Sequence, residues 1–239
     1  MRKLTVKKVR FISSIIMLSI VVAIAVFAFM PEKSVTIYGG ENYAPIYNGA
    51  KDRAEVALMF NVYEGTDVVK GILDILDSYG AKSTFFVGGC WADDNNETLM
   101  EIVSRGHELA NHGYFHLEHN KLSLENNIKE IENNHKVVKA ITGVEMNLFA
   151  PPSGAFSEKT LIAAQKLGYK TIMWSKDTID WRDKDENLVF TRATKNVENG
   201  DLILMHPKEH TKNALSKILE FYKEKGITVV TVTQCIEGI

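Results

Sequence analysis

The chain has 239 residues, with 28 lysines and arginines against 30 aspartates and glutamates, a formal net charge of −2. Such a balance carries no polybasic face, which excludes nucleic acid as a partner. The cysteine pair, Cys90 and Cys235, is too sparse for a disulfide framework and reads as free thiols.

The N-terminus opens with Arg2, Lys3, Lys7, Lys8 and Arg10, and the run 11–30 that follows has no charged residue. About 20 apolar residues suffice to cross a bilayer core as a helix. With the basic flank first, the positive-inside rule predicts a single-pass transmembrane helix over 11–30. Residues 1–10 then form a cytoplasmic tail, and the C-terminal domain is extracytoplasmic at the cell membrane. A cleaved signal peptide is the alternative; its apolar region would be shorter, roughly 7–15 residues. Residues 31–53 read as a linker with a first strand at 35–38, and a single domain spans 54–239.

From residue 54 short apolar runs alternate with amphipathic stretches. Strands are expected at 56–60, 83–87, 108–110, 148–150, 170–173, 202–205 and 228–232. Helices are expected at 67–79, 96–105, 123–142, 157–167, 188–197 and 211–225, with Gly80, Gly106, Gly143, Gly168 and Gly226 as stop signals. This alternation predicts an α/β domain with parallel strands, which a barrel and an open doubly wound sheet satisfy equally. No glycine-rich phosphate loop follows a strand, so a nucleotide-binding domain is not supported.

In either architecture the chemistry gathers at the C-terminal ends of the strands. The residues there include Asn61 and Glu64, His112 to His116, Pro151 to Gly154, Asp177 to Trp181, and His206. The spacing of His112 and His116 suits a metal, although two histidines four apart also occur without one. Asp180 beside Trp181 suits acid–base work and sugar stacking, or equally a helix cap with a buried ring. His206 is either a general acid or a surface histidine.

Taken together, these segments resemble one family. Met59-Phe60-Asn61, His112 with His116, Phe149-Ala150-Pro151-Pro152, Asp180-Trp181 and Leu204-Met205-His206 occur in the order found in polysaccharide deacetylases, the NodB homology domain of carbohydrate esterase family 4. The resemblance covers about 54–235 and is similar to the sporulation-associated PdaB/YlxY-like branch. It implies a distorted (β/α) barrel of seven or eight strands and metal-assisted removal of N-acetyl groups from a cell-wall or spore glycan, whether peptidoglycan, cortex or chitin-like. The implied metal is divalent, zinc foremost, held by His112 and His116. His206 is the implied acid, Asp180 belongs to the fourth motif, and Trp181, Leu204, Tyr114 and Pro152 bind substrate.

The sequence departs from the family where its first motif has two aspartates. Those positions are Asn61, in place of the base, and Val62, in place of a third metal ligand, and the arginine of the proline motif is Ala150. Glu64 is the nearest carboxylate and would substitute if its loop turned inward. These departures imply weak or lost activity, with an inactive glycan-binding pseudoenzyme as the alternative.

Overall fold

The computed structural model describes residues 44–239 together with Met17 and Ser19. The expected tail, the strand 35–38 and most of the anchor 11–30 lie outside the described residues; Met17 and Ser19 are both helical and exposed. Among the described residues no helix is long and apolar enough to cross a membrane. The chain divides into two units, Met1–Glu41 and Asn42–Ile239.

In the second unit the elements run β1 (Glu55–Val62), α1 (Thr66–Ser78), β2 (Thr84–Val87), α2 (Gly89–Asp94), α3 (Asn96–Ser104), β3 (Glu108–Asn111), α4 (Leu124–Thr142), β4 (Leu148–Phe149), α5 (Glu158–Lys166) and β5 (Lys170–Thr171). There follow β6 (Lys176–Asp177), α6 (Glu186–Thr194), β7 (Leu202–Met205), α7 (Glu209–Glu224), β8 (Thr228–Val230) and α8 (Val232–Cys235). The expected strands and helices are present with shifted ends. The sequence reading lacks β6, α2 and α8, each too short to show a period. Capping explains several boundaries. Ser123 accepts from the backbone N–H of Asn126 at 3.2 Å, and Asp185 accepts from Asn187 and Leu188, starting α6 two residues earlier than its apolar pattern suggests.

All strand pairings of the sheet are parallel, in the order β5-β4-β3-β2-β1-β7-β6. β8 pairs with the first residues of β1, on the edge that β2 takes farther along. The expected barrel is therefore not closed: among the described residues no pairing joins β5 to β6, and the sheet is a curled half-barrel. β5 and β6 are successive parts of one stretch, separated only by residues 172–175, and its start pairs with β4 while its end pairs with β7. A segment expected to be linker helps to tie the open side. Ile46 bridges to Ile172 and Asn48 to Asp201, while the Ala50 N–H donates to the carbonyl of Cys235 at 2.8 Å.

Strand alternation sorts the core into two clusters. Leu58, Phe60 and Val62 point outward and pack with Leu73, Leu99 and Ile218 of the helices. Ala57, Met59, Phe86, Ala110, Leu148, Ala150 and Leu202 point inward and, with Val232, Cys235 and Ile236, form an apolar plug. Inward positions beyond that plug are Asn61 on β1, His112 after β3, and Leu204 and His206 on and after β7. The fold thus sets polar side chains above an apolar floor at the C-terminal end of the sheet.

Candidate functional site

A cavity of about 250 Å³ opens at this end. Asn61, Tyr63, His112, His116, Leu204 and His206 line one part, and Ser153, Trp174, Asp177 and Trp181 line the other.

His112 is fully buried, and its Nδ1 donates to the carbonyl of Ala150 at 2.8 Å. That bond fixes the proton on Nδ1 and leaves Nε2 as a bare lone pair, the arrangement a metal-binding imidazole needs. Nε2 has no hydrogen-bond partner. Burial, then the neighbouring His116, holds the His112 pKa well below the usual histidine range. The ring is therefore neutral at pH 7. His116 lies 5.1 Å from it between ring centroids, and burial followed by His206 lowers its pKa also.

The loop between these histidines is held from behind. The Glu130 carboxylate of α4 accepts from the backbone N–H groups of Tyr114 and Phe115 at 3.0 and 2.9 Å. Asn111 Oδ1 accepts from the Gly113 N–H at 2.9 Å and from Asn134 at 2.9 Å. Gly113 has φ +72°, and a Cβ there would stand 2.9 Å from His119 Nε2. The loop therefore requires glycine at that position.

Across the cavity, Asp180 is buried behind His206. Its Oδ1 accepts from His206 Nδ1, and its Oδ2 accepts from the His206 backbone N–H and from the Thr211 hydroxyl, all at 2.7 Å. Burial raises the Asp180 pKa, but the His206 and Thr211 bonds outweigh it and hold the carboxyl below its usual range. Asp180 is thus an orienting carboxylate for His206. Trp181, next in sequence, is 54% exposed at the mouth with the Arg182 guanidinium 5.8 Å over its ring.

His112, His116, His206, Asn61, Leu204 and Trp181 are brought to one cavity, and Asp180 stands directly behind it. Other expected residues are elsewhere. Glu64 does not turn inward: it is half exposed and forms an ion pair with Lys208. Tyr114 is not in the lining, since its ring lies over Gly89, where a Cβ would meet it at 2.2 Å. Pro152 is buried behind the histidine loop, and its neighbour Ser153 faces the cavity instead. Val62 belongs to the helix-facing core. The residue that shares the inner face with Asn61 is Tyr63, whose ring centroid is 4.1 Å from that of His116. Ser153 and Asp177 belong to strand-end stretches that the sequence marked, while Tyr63 and Trp174 are lining residues to which it gave no role. Counting by two along β1 and past its end would have found Tyr63; Trp174 depends on the curl of the sheet.

The histidine pair, with its orphaned Nε2, supplies two ligands of the kind a divalent metal takes. Among the described residues no group of three His, Cys, Asp or Glu side chains could hold a metal. The residues present therefore do not fit a metal site with three protein ligands.

Comparisons with known proteins agree with the fold. The family model described as polysaccharide deacetylase matches residues 48–172. The uncharacterized protein YlxY of Bacillus subtilis (strain 168) is 34% identical over 193 residues, covering 81% of this chain. This chain spans 60% of the length of that relative. The peptidoglycan-N-acetylmuramic acid deacetylase PdaA of the same strain is 28% identical over 198 residues, covering 80% of this chain and 75% of PdaA. Among solved structures, BA3943, a CE4 family pseudoenzyme from Bacillus anthracis, superposes with a TM-score of 0.80 at 32% identity, covering 82% of this chain and 70% of that one. With its motifs in family order on the half-barrel, this chain belongs to the polysaccharide deacetylase family.

Proposed function

We propose that this protein is a pseudoenzyme of the deacetylase family that binds an N-acetylated cell-wall or spore polymer such as peptidoglycan. One observation carries the reading. The side chains that the end of β1 and the residue after it send into the cavity with the histidine pair are Asn61 and Tyr63, and neither is a carboxylate. Amide hydrolysis at neutral pH needs a group that takes a proton from water. An asparagine amide does not, Glu64 is held away in its pair with Lys208, and Asp177, on the lining, has one carboxylate oxygen taken by the Ile179 N–H at 2.7 Å. General-base catalysis contributes about 10²–10⁴-fold, so its loss alone would reduce turnover by about that factor. The pseudoenzyme description of the Bacillus anthracis relative supports the same reading.

The binding half of the cleft is intact. Trp174 and Trp181 offer ring faces to a sugar, and Leu204 offers an apolar wall to an acetyl methyl. His206, oriented by Asp180, can donate to a ligand oxygen or nitrogen. The peptidoglycan deacetylase names of the relatives favour peptidoglycan as the polymer. We further propose that residues 11–30 anchor the protein in the cell membrane, with the domain outside and residues from 31 to about 43 as tether. Zinc-supplemented acetate release from peptidoglycan or chitooligosaccharide tests the function. We expect no release above that of His112→Ala, while the wild type still sediments with peptidoglycan. Acetate release well above His112→Ala would instead establish a hydrolase.

A further inference from the structure

We infer that the cavity receives the protonated amine of a sugar unit whose N-acetyl group has been removed, met by the unpaired acceptors of Asn61 and His112 and by the Asp177 carboxylate. The inference rests on the glycan-binding reading and narrows it. Within an N-acetylated polymer, the unit seated at the histidines is a de-N-acetylated one. A separate amide hydrolysis supplies it.

Three observations carry it. First, the lining holds two acceptors with nothing to accept. Asn61 and His112 are both buried, and neither Asn61 Oδ1 nor His112 Nε2 has a hydrogen-bond partner among the described residues. The His112 Nδ1–H is committed to the Ala150 carbonyl, so Nε2 is left to accept. Unmatched buried acceptors cost free energy, which a ligand bringing donors recovers. An ammonium group brings three donors and no acceptor, whereas an acetamido group brings one N–H and a carbonyl that needs a donor of its own.

Second, the fixed charge of the lining has one sign. Among the described residues that line the cavity, Asp177 is the only carboxylate and there is no lysine or arginine. Its Oδ1 accepts from the Ile179 N–H at 2.7 Å, and its Oδ2 accepts from no group among the described residues. Asp180 adds a second anion behind His206. The cations around the mouth are engaged elsewhere. Arg182 pairs with Asp183 at 2.9 and 3.0 Å, and Lys208 pairs with Glu64. An ammonium gains from this field, and a neutral acetamido group does not.

Third, Asp177 shares its part of the lining with Trp174 and Trp181. Indole faces attract cations as well as sugar rings. A carboxylate beside two indoles therefore suits a sugar that carries a positive charge.

The test is calorimetric titration of the detergent-solubilised full chain, in metal-free buffer at pH 6, with hexamers of glucosamine and of N-acetylglucosamine. Wild type is expected to bind the glucosamine hexamer at least about 10-fold more tightly, the worth of one charge-assisted hydrogen bond. Asp177→Asn keeps an acceptor for the Ile179 N–H and is expected to remove most of that preference at an unchanged Tm. Asn61→Leu is expected to weaken binding of the glucosamine hexamer alone, again without loss of Tm, because Oδ1 has no bond to lose. Either variant suffices if the other melts early. Glu220→Gln removes one charge from an exposed position of α7 and is expected to change neither affinity. Equal or tighter wild-type binding of the N-acetylglucosamine hexamer would overturn the inference and leave the glycan reading standing. So would a preference that the folded Asp177→Asn and Asn61→Leu chains retain, or one that Glu220→Gln lowers as much as Asp177→Asn does, since bulk attraction would then account for it. Binding of neither hexamer would remove the glycan reading together with the inference.

Discussion

Asp180 grips His206 at two points, with one oxygen on the ring Nδ1 and the other on the backbone N–H, both at 2.7 Å. The same carboxylate takes the Thr211 hydroxyl, so α7 and the end of β7 converge on a single buried anion. A side chain used three ways is a structural keystone directly behind the cleft.

Asp180→Asn therefore breaks at least one charge-assisted bond and sets an amide N–H₂ against a donor. The expected cost is about 3 kcal/mol, read from urea unfolding. A loss under about 0.5 kcal/mol would mean that the carboxylate is not ionised in the native protein.

Removing the Glu130 carboxylate tests the support of the histidine loop. Glu130→Ala leaves the Tyr114 and Phe115 N–H groups without their acceptor and is expected to cost about 3 kcal/mol. Both bonds go to the same oxygen, Oε2. Glu130→Gln keeps an acceptor there, and its expected cost is about 1 kcal/mol. Equal losses in the two variants would show that charge, not the acceptor position, holds the loop.

Stability is expected to fall as pH drops from about 6.5 toward 4. Burial lowers His107 and His119 to about 4 in the folded protein, from an ordinary 6.5. Between those values the unfolded chain binds more protons than the folded one. The stabilisation is thus complete above pH 6.5 and is lost as pH passes down through the folded pKa. Each group contributes on the order of 3 kcal/mol at most. Thermal melts at pH 7, 5.5 and 4.5 measure this, and an unchanged Tm would contradict neutral burial of the two rings.

Trp181 is the cleanest probe of glycan binding because it is 54% exposed. Trp181→Ala is expected to leave unfolding free energy within about 0.5 kcal/mol. The affinity for a chitooligosaccharide should fall about 10-fold, from the loss of ring stacking worth about 0.5–1.5 kcal/mol plus buried area. Calorimetry with the oligosaccharide reads the change; undiminished affinity would move the sugar site away from the mouth.

By itself the sequence determined the parallel α/β character, most elements, and the order of the motifs that place the chain in its family. Those features are local, set by hydrophobic period, caps and residue identity. It also put an amide, Asn61, where the family resemblance implies a carboxylate. Only the tertiary structure decided which neighbour of Asn61 faces the cleft. Strand alternation sends Val62 into the helix-facing core and Tyr63 onto His116. The direction of Glu64 was likewise decided by Lys208, 144 positions away in the chain. The stretch 170–177 likewise takes β4 as its partner at one end and β7 at the other. These outcomes depend on side-chain facing and on partners distant in sequence, and no motif encodes them.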